Sequence, residues 1–167
     1  METIPLSRGD LRWVFPEVPE PEAVRGALAE ADARVRDLAR HLGAREGGTG
    51  DGLVFRRTGG VVAAGLFAAA EAEGVGFTAD LCFPRRCLWD LRWGPPWEVE
   101  AEIMVLCDQV PDCGGHMLAA RAETFTTPLE AARGLAEATA WLLEHGRAAS
   151  PASWRSRDDA RCQEVGP

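Results

Sequence analysis

The sequence predicts an α+β protein, in which an antiparallel sheet of about five strands has an N-terminal and a C-terminal helix packed on one face. Two observations lead to this prediction. Apolar residues repeat with helical spacing near each end of the chain. The segments between those ends either alternate apolar and polar residues or place apolar runs beside turn-forming residues. Because the helical and strand-like segments are segregated along the chain, they indicate an antiparallel sheet.

The first predicted helix begins at Pro21, a favourable first helical position, and ends before Gly43. His41 lies in its last turn, where a partly cationic imidazole stabilises the negative end of the helix dipole. The apolar residues of this helix recur every three or four positions and form a single stripe, as expected when one face packs on a core. They are Val24, Leu28, Ala31, Val35, Leu38 and Leu42.

The second predicted helix covers residues 126–146 and has recognisable signals at both ends. Thr127 is the expected N-cap, Pro128 takes the first helical position, and Glu130 completes a capping box. We expect Gly146 to end the helix, as Gly43 ends the first one. His145, one residue earlier, is assigned the same capping role as the histidine of the first helix.

The predicted strands lie between the helices. A hairpin around a Thr-Gly-Gly turn joins the first two, and the alanine-rich second strand could instead be helical, although its β-branched start favours a strand. The best strand is WEVEAEIMVLC, in which Trp97 begins a series of core-facing residues. A further short strand or ordered arm is expected at 10–15. The strands are predicted at 53–57, 61–73, 74–83, 97–107 and 116–125.

The chain is expected to form one domain, at 21–146, preceded by an N-terminal arm or short strand at 1–20. The polar segment 147–167 is predicted to be a mobile tail. The order helix, strands, irregular connector, strands, helix resembles that of type III secretion chaperones and small acidic immunity proteins. This resemblance rests on the order of elements and implies a role in binding another protein.

The composition restricts the function classes. A net charge of −8 disfavours nucleic acid and anionic membranes as partners. The chain has no lysine and no tyrosine, which excludes a Schiff-base lysine, a P-loop lysine and a tyrosine acid. Its four serines lie near the termini, which disfavours a Ser–His–Asp hydrolase centred on the folded middle. No signal peptide or membrane span is expected, so the expected compartment is a reducing cytoplasm, in which the five cysteines would be thiols or metal ligands before disulfides.

Four cysteines raise the question of a structural zinc site. Cys82 and Cys87 lie at the end of one predicted strand, and Cys107 and Cys113 lie at the end of another. The proline-rich connector between these strands disfavours a parallel crossover, so neighbouring strands would run antiparallel. The two pairs would then lie about 33 Å apart at ordinary strand rise. A single zinc ion with sulfur ligands at about 2.3 Å cannot join them.

A smaller local site remains an alternative. Cys107, Cys113 and His116, with Asp108 or Asp112, could bind zinc, or the second cysteine could act as a reactive thiol beside the histidine. The favoured interpretation of this loop is a Gly/Pro/Asp turn between two strands, with the cysteines as small apolar residues.

Three carboxylates share one face of the best strand. Glu98, Glu100 and Glu102 alternate with apolar residues, as expected for a solvated face, and we call them the acidic row. If the hairpin turns around Pro111-Asp112, the last of them lies opposite Arg121 and forms a cross-strand ion pair. The functional interpretation of the acidic row is a docking surface for a basic partner.

The connector before this strand is rich in tryptophan and arginine. Its tryptophans either close the edge of the sheet or recognise a partner, since Trp and Arg are the residues most enriched at binding hot spots. We call Arg85, Arg86, Trp89, Arg92 and Trp93 the Trp/Arg connector.

The sequence therefore favours a non-enzymatic cytoplasmic protein-binding module of the immunity, chaperone or adaptor type. Its expected partner is another protein with a basic surface, no cofactor is expected, and a homodimer is compatible with the sequence. The binding surfaces would be the Trp/Arg connector and the acidic row. The alternative is a small metal- or thiol-dependent enzyme or ligand-binding domain, with zinc as its cofactor, centred on Cys107, Cys113 and His116.

Overall fold

Six strands lie side by side in the order in which they occur in the sequence, and every neighbouring pair is antiparallel. The computed structural model describes residues 2–5, 15, 20–43, 54–57, 64–82, 96–105 and 115–156. The strands are β1 (Glu2–Pro5), β2 (Val54–Arg57), β3 (Ala64–Ala72), β4 (Val75–Cys82), β5 (Trp97–Val105) and β6 (His116–Phe125). Two helices flank the long strands in sequence, α1 (Pro21–Leu42) and α2 (Pro128–Ala148).

The α+β class and the antiparallel sheet are confirmed, and the number of strands differs from the prediction. Four long strands, β3 to β6, with eight to ten residues each, form the main sheet. β1 and β2 add four residues each at the edge next to β3. The strand near the N-terminus lies at Glu2–Pro5, and of the segment 10–15, where a strand or arm was expected, only Phe15 is described.

The helix α1 has the limits that the sequence predicts. Pro21 is its first residue, and Gly43 follows its last with φ 67°, a left-handed conformation that glycine adopts at low cost. The N–H of this glycine donates to the carbonyl of Arg40 at 3.2 Å. His41 is exposed in the last turn. Five residues of the expected apolar stripe are buried: Val24, Leu28, Ala31, Val35 and Leu38.

The helix α2 starts as predicted but ends later. The Thr127 hydroxyl oxygen accepts the backbone N–H of Glu130 at 3.2 Å, and the hydroxyl donates to the Glu130 carboxylate at 2.8 Å. The prediction that Gly146 ends the helix is wrong, because the helix continues to Ala148 and the glycine is buried inside it. A Cβ atom at this glycine would lie 2.4 Å from the Cδ1 atom of Leu38. An alanine there would force the Leu38 side chain to shift, so the glycine allows α2 to pack closely on α1.

Both helices and one set of alternating strand residues contribute to a single buried cluster. Phe15 is fully buried in it, and its ring centroid lies 5.8 Å from that of Trp97, which confirms the predicted core position of this tryptophan. Two polar contacts also join the helices. Arg34 of α1 donates to the carbonyl of Ala136 in α2, and Asp37 pairs with Arg147. The strand residues of the cluster are Leu66, Ala68, Ala70, Val75, Phe77, Ala79, Leu81, Trp97, Val99, Ala101, Ile103 and Val105.

The first part of the segment expected to be a tail is packed against the domain. After α2, residues 151–156 form a further helical turn that buries Trp154, which is 5% exposed, beside His145. Arg155 donates to the carbonyl oxygen of Glu73 at 3.3 Å. This glutamate and Gly74 have φ values of 52° and 77° and form the two-residue turn between β3 and β4. The packed part of this segment thus includes residues 151–156, and residues 157–167 lie outside the described part.

Candidate functional site

The acidic row lies on the face of β5 opposite the core-facing residues. Burial alternates without interruption along this strand, with the core-facing residues buried and the three glutamates of intermediate exposure. Successive glutamates are about 6.7 Å apart, because residues two apart on a strand share a face at that spacing. The expectation of a fully solvated face is therefore only partly met, since the carboxylates are half-buried.

A fourth carboxylate lies beside the acidic row. In the register between β4 and β5, Asp80 is directly opposite Glu100, and Thr78 is opposite Glu102. Cβ atoms of such directly opposed residues lie about 4.5–5.5 Å apart, so the aspartate side chain belongs to the same patch. The sequence analysis did not identify Asp80, because alternation assigns a face but not a register across an irregular connector.

The strand on the other side of β5 contributes only short side chains to this face. Thr124, Ala122 and Ala120 of β6 lie opposite the three glutamates in turn. None of these three residues carries a charge, so β6 provides no cation at these positions of the sheet. The carboxylates of the row consequently lie among residues that are small and uncharged on the β6 side.

Crowding and burial change the ionisation of the central glutamate. Burial raises the pKa of Glu100 above its ordinary value of 4.5, and the charges of Glu98 and Glu102 raise the pKa further. A hydrogen bond with Glu98 acts in the same direction. Carboxylates that repel each other in this way favour a bound proton or a bound cation. The patch is therefore suited chemically to binding positive charge.

The predicted ion pair between Glu102 and Arg121 is wrong. Glu102 lies opposite Ala120, and Arg121 lies opposite Ala101 on the other face of the sheet. The register changes by one residue between Ile103 and Met104, and a shift of one residue moves a side chain to the opposite face. Arg121 pairs instead with Glu123, two residues further along β6.

The strand directions agree with the argument against a four-cysteine zinc site. Cys82 lies opposite Glu98 at one end of β5, and Val105 at the other end lies opposite Val75, so β4 and β5 are antiparallel as expected. Cys87, Cys107 and Cys113 lie outside the described residues. Among the described residues, no three His, Cys, Asp or Glu side chains are grouped so that they could hold a metal ion.

The remaining candidate residues are only partly placed. His116 is the first residue of β6, is half-buried, and pairs with Val105, so the ends of the loop that carries Cys107 and Cys113 are brought together. The whole Trp/Arg connector lies outside the described residues. Its expected role in binding stays a prediction.

The sequence analysis did not predict a cluster of one histidine and two tryptophans near the end of α2. The Nδ1–H of His145 donates to the carbonyl of Trp141 at 2.8 Å, and the two ring centroids are 4.3 Å apart. The ring of Trp154 lies on the other side at 6.4 Å. Spacing of four residues within α2 could have indicated the first contact, but nothing in the sequence indicates the second. The cluster anchors the segment 151–156 to α2.

Comparisons with known proteins found no relative of the chain. No protein-family model, no curated protein and no solved structure matches the chain. Within the described ranges, neither helix combines the length and the apolar character that crossing a lipid bilayer requires.

Proposed function

We propose that the chain is a non-enzymatic binding module whose acidic row engages an arginine- or lysine-rich segment of another protein. The observation that carries this proposal is the alignment of Glu98, Glu100 and Glu102 on one face of β5, with Asp80 directly beside the central one. A basic segment would relieve the repulsion that raises the pKa of Glu100. A net charge of −8 would also attract such a partner over longer distances.

We also infer that both helices cover the opposite face of the sheet. Gly146 of α2 closely approaches Leu38 of α1, and a Cβ atom at this glycine would lie 3.6 Å from the ring of Phe77 in β4. Phe77 lies opposite Ile103, on the face of β5 that alternates with the acidic row. This arrangement supports a docking role for the acidic face, because the helices would not cover it.

The Trp/Arg connector and a cytoplasmic location complete the proposal. Tryptophan and arginine are enriched at binding hot spots, and the connector leads directly into β5 at Trp97. A contact with the connector would therefore adjoin the acidic row in sequence. The odd number of cysteines fits a reducing compartment.

The competing proposal is a metal or thiol site formed by Cys107, Cys113 and His116. Pairing of Val105 with His116 supports it, because this pairing closes the loop that contains both cysteines. Two thiolates and an imidazole are suitable zinc ligands and leave a fourth position for water or substrate. The two proposals differ in the metal content that they require.

The acidic row can be tested with a triple variant, Glu98→Gln, Glu100→Gln and Glu102→Gln. The probe is a nonameric oligoarginine peptide with a fluorescent label, and binding is measured by fluorescence anisotropy at low ionic strength. Ion pairs of this kind contribute about 0.2–1 kcal/mol each, so loss of three weakens binding roughly tenfold. Added salt is expected to weaken wild-type binding as well.

A matched control removes the same charge elsewhere. Glu20, Glu137 and Glu144 are exposed on or beside the helices, and their replacement by Gln also removes three negative charges from the net charge of −8. This control is expected to bind within about twofold of the wild type, because only long-range attraction changes. Equal losses in the two triple variants would mean that net charge alone attracts the peptide, and the proposed site would be rejected.

A further inference from the structure

The strand β6 is the last in the sheet, and among the described strands it has a neighbour on one side only. It is ten residues long, and its other edge carries backbone N–H and C=O groups that could pair with a further strand. Proteins often protect such edges with bulges, prolines or charges, or use them for strand pairing between chains. The residues of β6 indicate which of these applies here.

The regular part of β6 has a natural centre. The register shift opposite Ile103 and Met104 falls between Met117 and Ala119, and from Ala119 to Phe125 the pairing with β5 is uninterrupted. The middle residue of this seven-residue run is Ala122. In an antiparallel pair related by a two-fold axis at this alanine, the whole regular run of one copy would lie beside the same run of the other.

Charge complementarity selects this register. Arg121 and Glu123 flank Ala122 and lie on the same face of the sheet. A two-fold axis at the alanine places Arg121 of each copy directly opposite Glu123 of the other, which gives two cross-strand ion pairs. In a single chain these two side chains form an ion pair with each other and are 29% and 47% exposed. Association replaces this pair by pairs between the two copies, so neither charge loses an oppositely charged partner.

The other residue pairs in this register are also compatible. Ala122 meets itself and Ala120 meets Thr124 on the acidic face, where all three residues are exposed and small. On the core-facing side of the sheet, Ala119 of one copy would lie opposite Phe125 of the other. The ring of Phe125 packs close to Gly134 of α2. Small residues opposite small or aromatic ones avoid steric conflict and like-charge contacts.

We propose that two copies of the chain associate through their β6 edges, antiparallel about a two-fold axis at Ala122, and form a homodimer with one continuous sheet. Identical surfaces meet in such a dimer, as in most symmetric oligomers. Directly opposed residues share a face, so the two acidic rows lie on the same side of the joined sheet. With two β6 strands between them, the rows are roughly 14 Å apart.

The test uses two charge-reversal variants of the full chain, Arg121→Glu and Glu123→Arg. Each replaces the attractive pairs by like-charge pairs, so each is expected to be monomeric in sedimentation equilibrium at concentrations where the wild type is dimeric. An equimolar mixture of the two variants makes every cross-strand pair attractive again. The mixture is expected to form a one-to-one heterodimer, which a merely misfolded variant could not do.

The double variant, Arg121→Glu with Glu123→Arg, keeps both the pairing within a strand and the pairing between strands, and is expected to be dimeric. Arg133→Glu on the exposed face of α2 is the control for a change of charge alone, and is expected to leave the dimer intact. A wild type that stays monomeric up to millimolar concentration overturns the proposal. Dimeric single variants, or a mixture that stays monomeric, overturn the proposed register; neither result bears on the acidic row as a binding site.

Discussion

Glu100 has a pKa that is raised by its burial and by its neighbours in the sheet. Its carboxyl group lies between those of Glu98 and Glu102 along β5 and beside Asp80 of β4. Because burial and like charges raise its pKa, the folded protein holds a proton there at a pH at which the unfolded chain has released it. Ionisation of this one residue is therefore linked to the stability of the fold.

The pH dependence follows from the sign of this shift. The pKa of Glu100 is raised above 4.5 in the folded protein, so the folded state binds more protons than the unfolded state at pH values between the two pKa values. The free energy of unfolding therefore falls as the pH rises through this interval. Glu100→Gln removes the titrating group. We expect the variant to gain stability relative to the wild type between about pH 4.5 and neutral pH.

Urea unfolding at several pH values measures this gain. Glu137→Gln serves as the control. It removes one exposed carboxylate of α2 that does not belong to the acidic row. A difference between Glu100→Gln and wild type that stays constant from acidic to neutral pH would contradict the proposed linkage.

At the scale of the elements, the contact between α1 and α2 depends on a glycine whose role the sequence does not indicate. Gly43 and Gly146 each follow a histidine near a predicted helix end, at a distance of one or two residues. The first ends its helix with a positive φ, whereas the second lies within a helix, and Leu38 of α1 occupies the space that its Cβ atom would take. Local sequence signals are the same, and only the position of the neighbouring helix separates the two cases.

Gly146→Ala is expected to destabilise the protein by about 1–2 kcal/mol. Overpacking of a core costs about 1–3 kcal/mol, and the higher helix propensity of alanine recovers up to about 1 kcal/mol. Gly26, exposed within α1, has no atom within 4 Å of a would-be Cβ atom. Gly26→Ala is therefore expected to stabilise the protein by roughly 0.5–1 kcal/mol.

Thermal and denaturant unfolding of the two variants compare these effects directly. The substitution is chemically identical in both, so any difference in sign reports the environment of the glycine. If Gly146→Ala were as stabilising as Gly26→Ala, the close approach of α2 to Leu38 would not exist in solution.

The strands show the same limit of local signals. Alternation correctly predicted which residues of β5 face the core, and the connector prolines correctly predicted antiparallel strands. Alternation could not predict the partner of Arg121, because it does not determine the register, which shifts by one residue between Ile103 and Met104. It also could not show that Asp80 lies beside Glu100. Periodicity determines faces, whereas the register depends on turns and bulges.

For the whole molecule, described structure lies on both sides of the segment 21–146 that was predicted to form the domain. Glu2–Pro5 forms an edge strand, and the segment 151–156 packs onto α2 through Trp154. Short segments of this kind have little local preference for a structure, and one buried tryptophan holds the segment 151–156 against the helix. The class of the fold was accessible from patterns of residues, but its boundaries depend on contacts between distant segments.

Metal content distinguishes the two functional proposals for the molecule. For a binding module, we expect the purified protein to contain far less than one zinc per chain and to unfold at the same temperature with and without a chelator. A site at Cys107, Cys113 and His116 would instead give stoichiometric zinc and a lower unfolding temperature after chelation, since metal binding stabilises the folded state. Elemental analysis and thermal unfolding make the measurement.

A Cys113→Ser variant provides the corresponding control. Zinc present in the wild type and lost from this variant would contradict the binding-only proposal. Cys162→Ser, in the C-terminal segment outside the described residues, changes one thiol elsewhere in the sequence and is expected to leave the zinc content unchanged.

Pairing of every strand with its successor also determines how the entropy cost of folding is distributed. From β2 to β6 the paired strands are joined by short connections, whereas α1 lies between β1 and β2. Asp37 and Arg147, which join the two helices, are 110 positions apart. Closing a loop of that length costs about 2 kcal/mol more than closing one of ~10 residues. The part of the sheet from β2 to β6 can thus form from contacts that are local in sequence. The helix pair adds contacts between residues that are far apart in sequence, and we expect the rate of folding to depend on when the two helices meet.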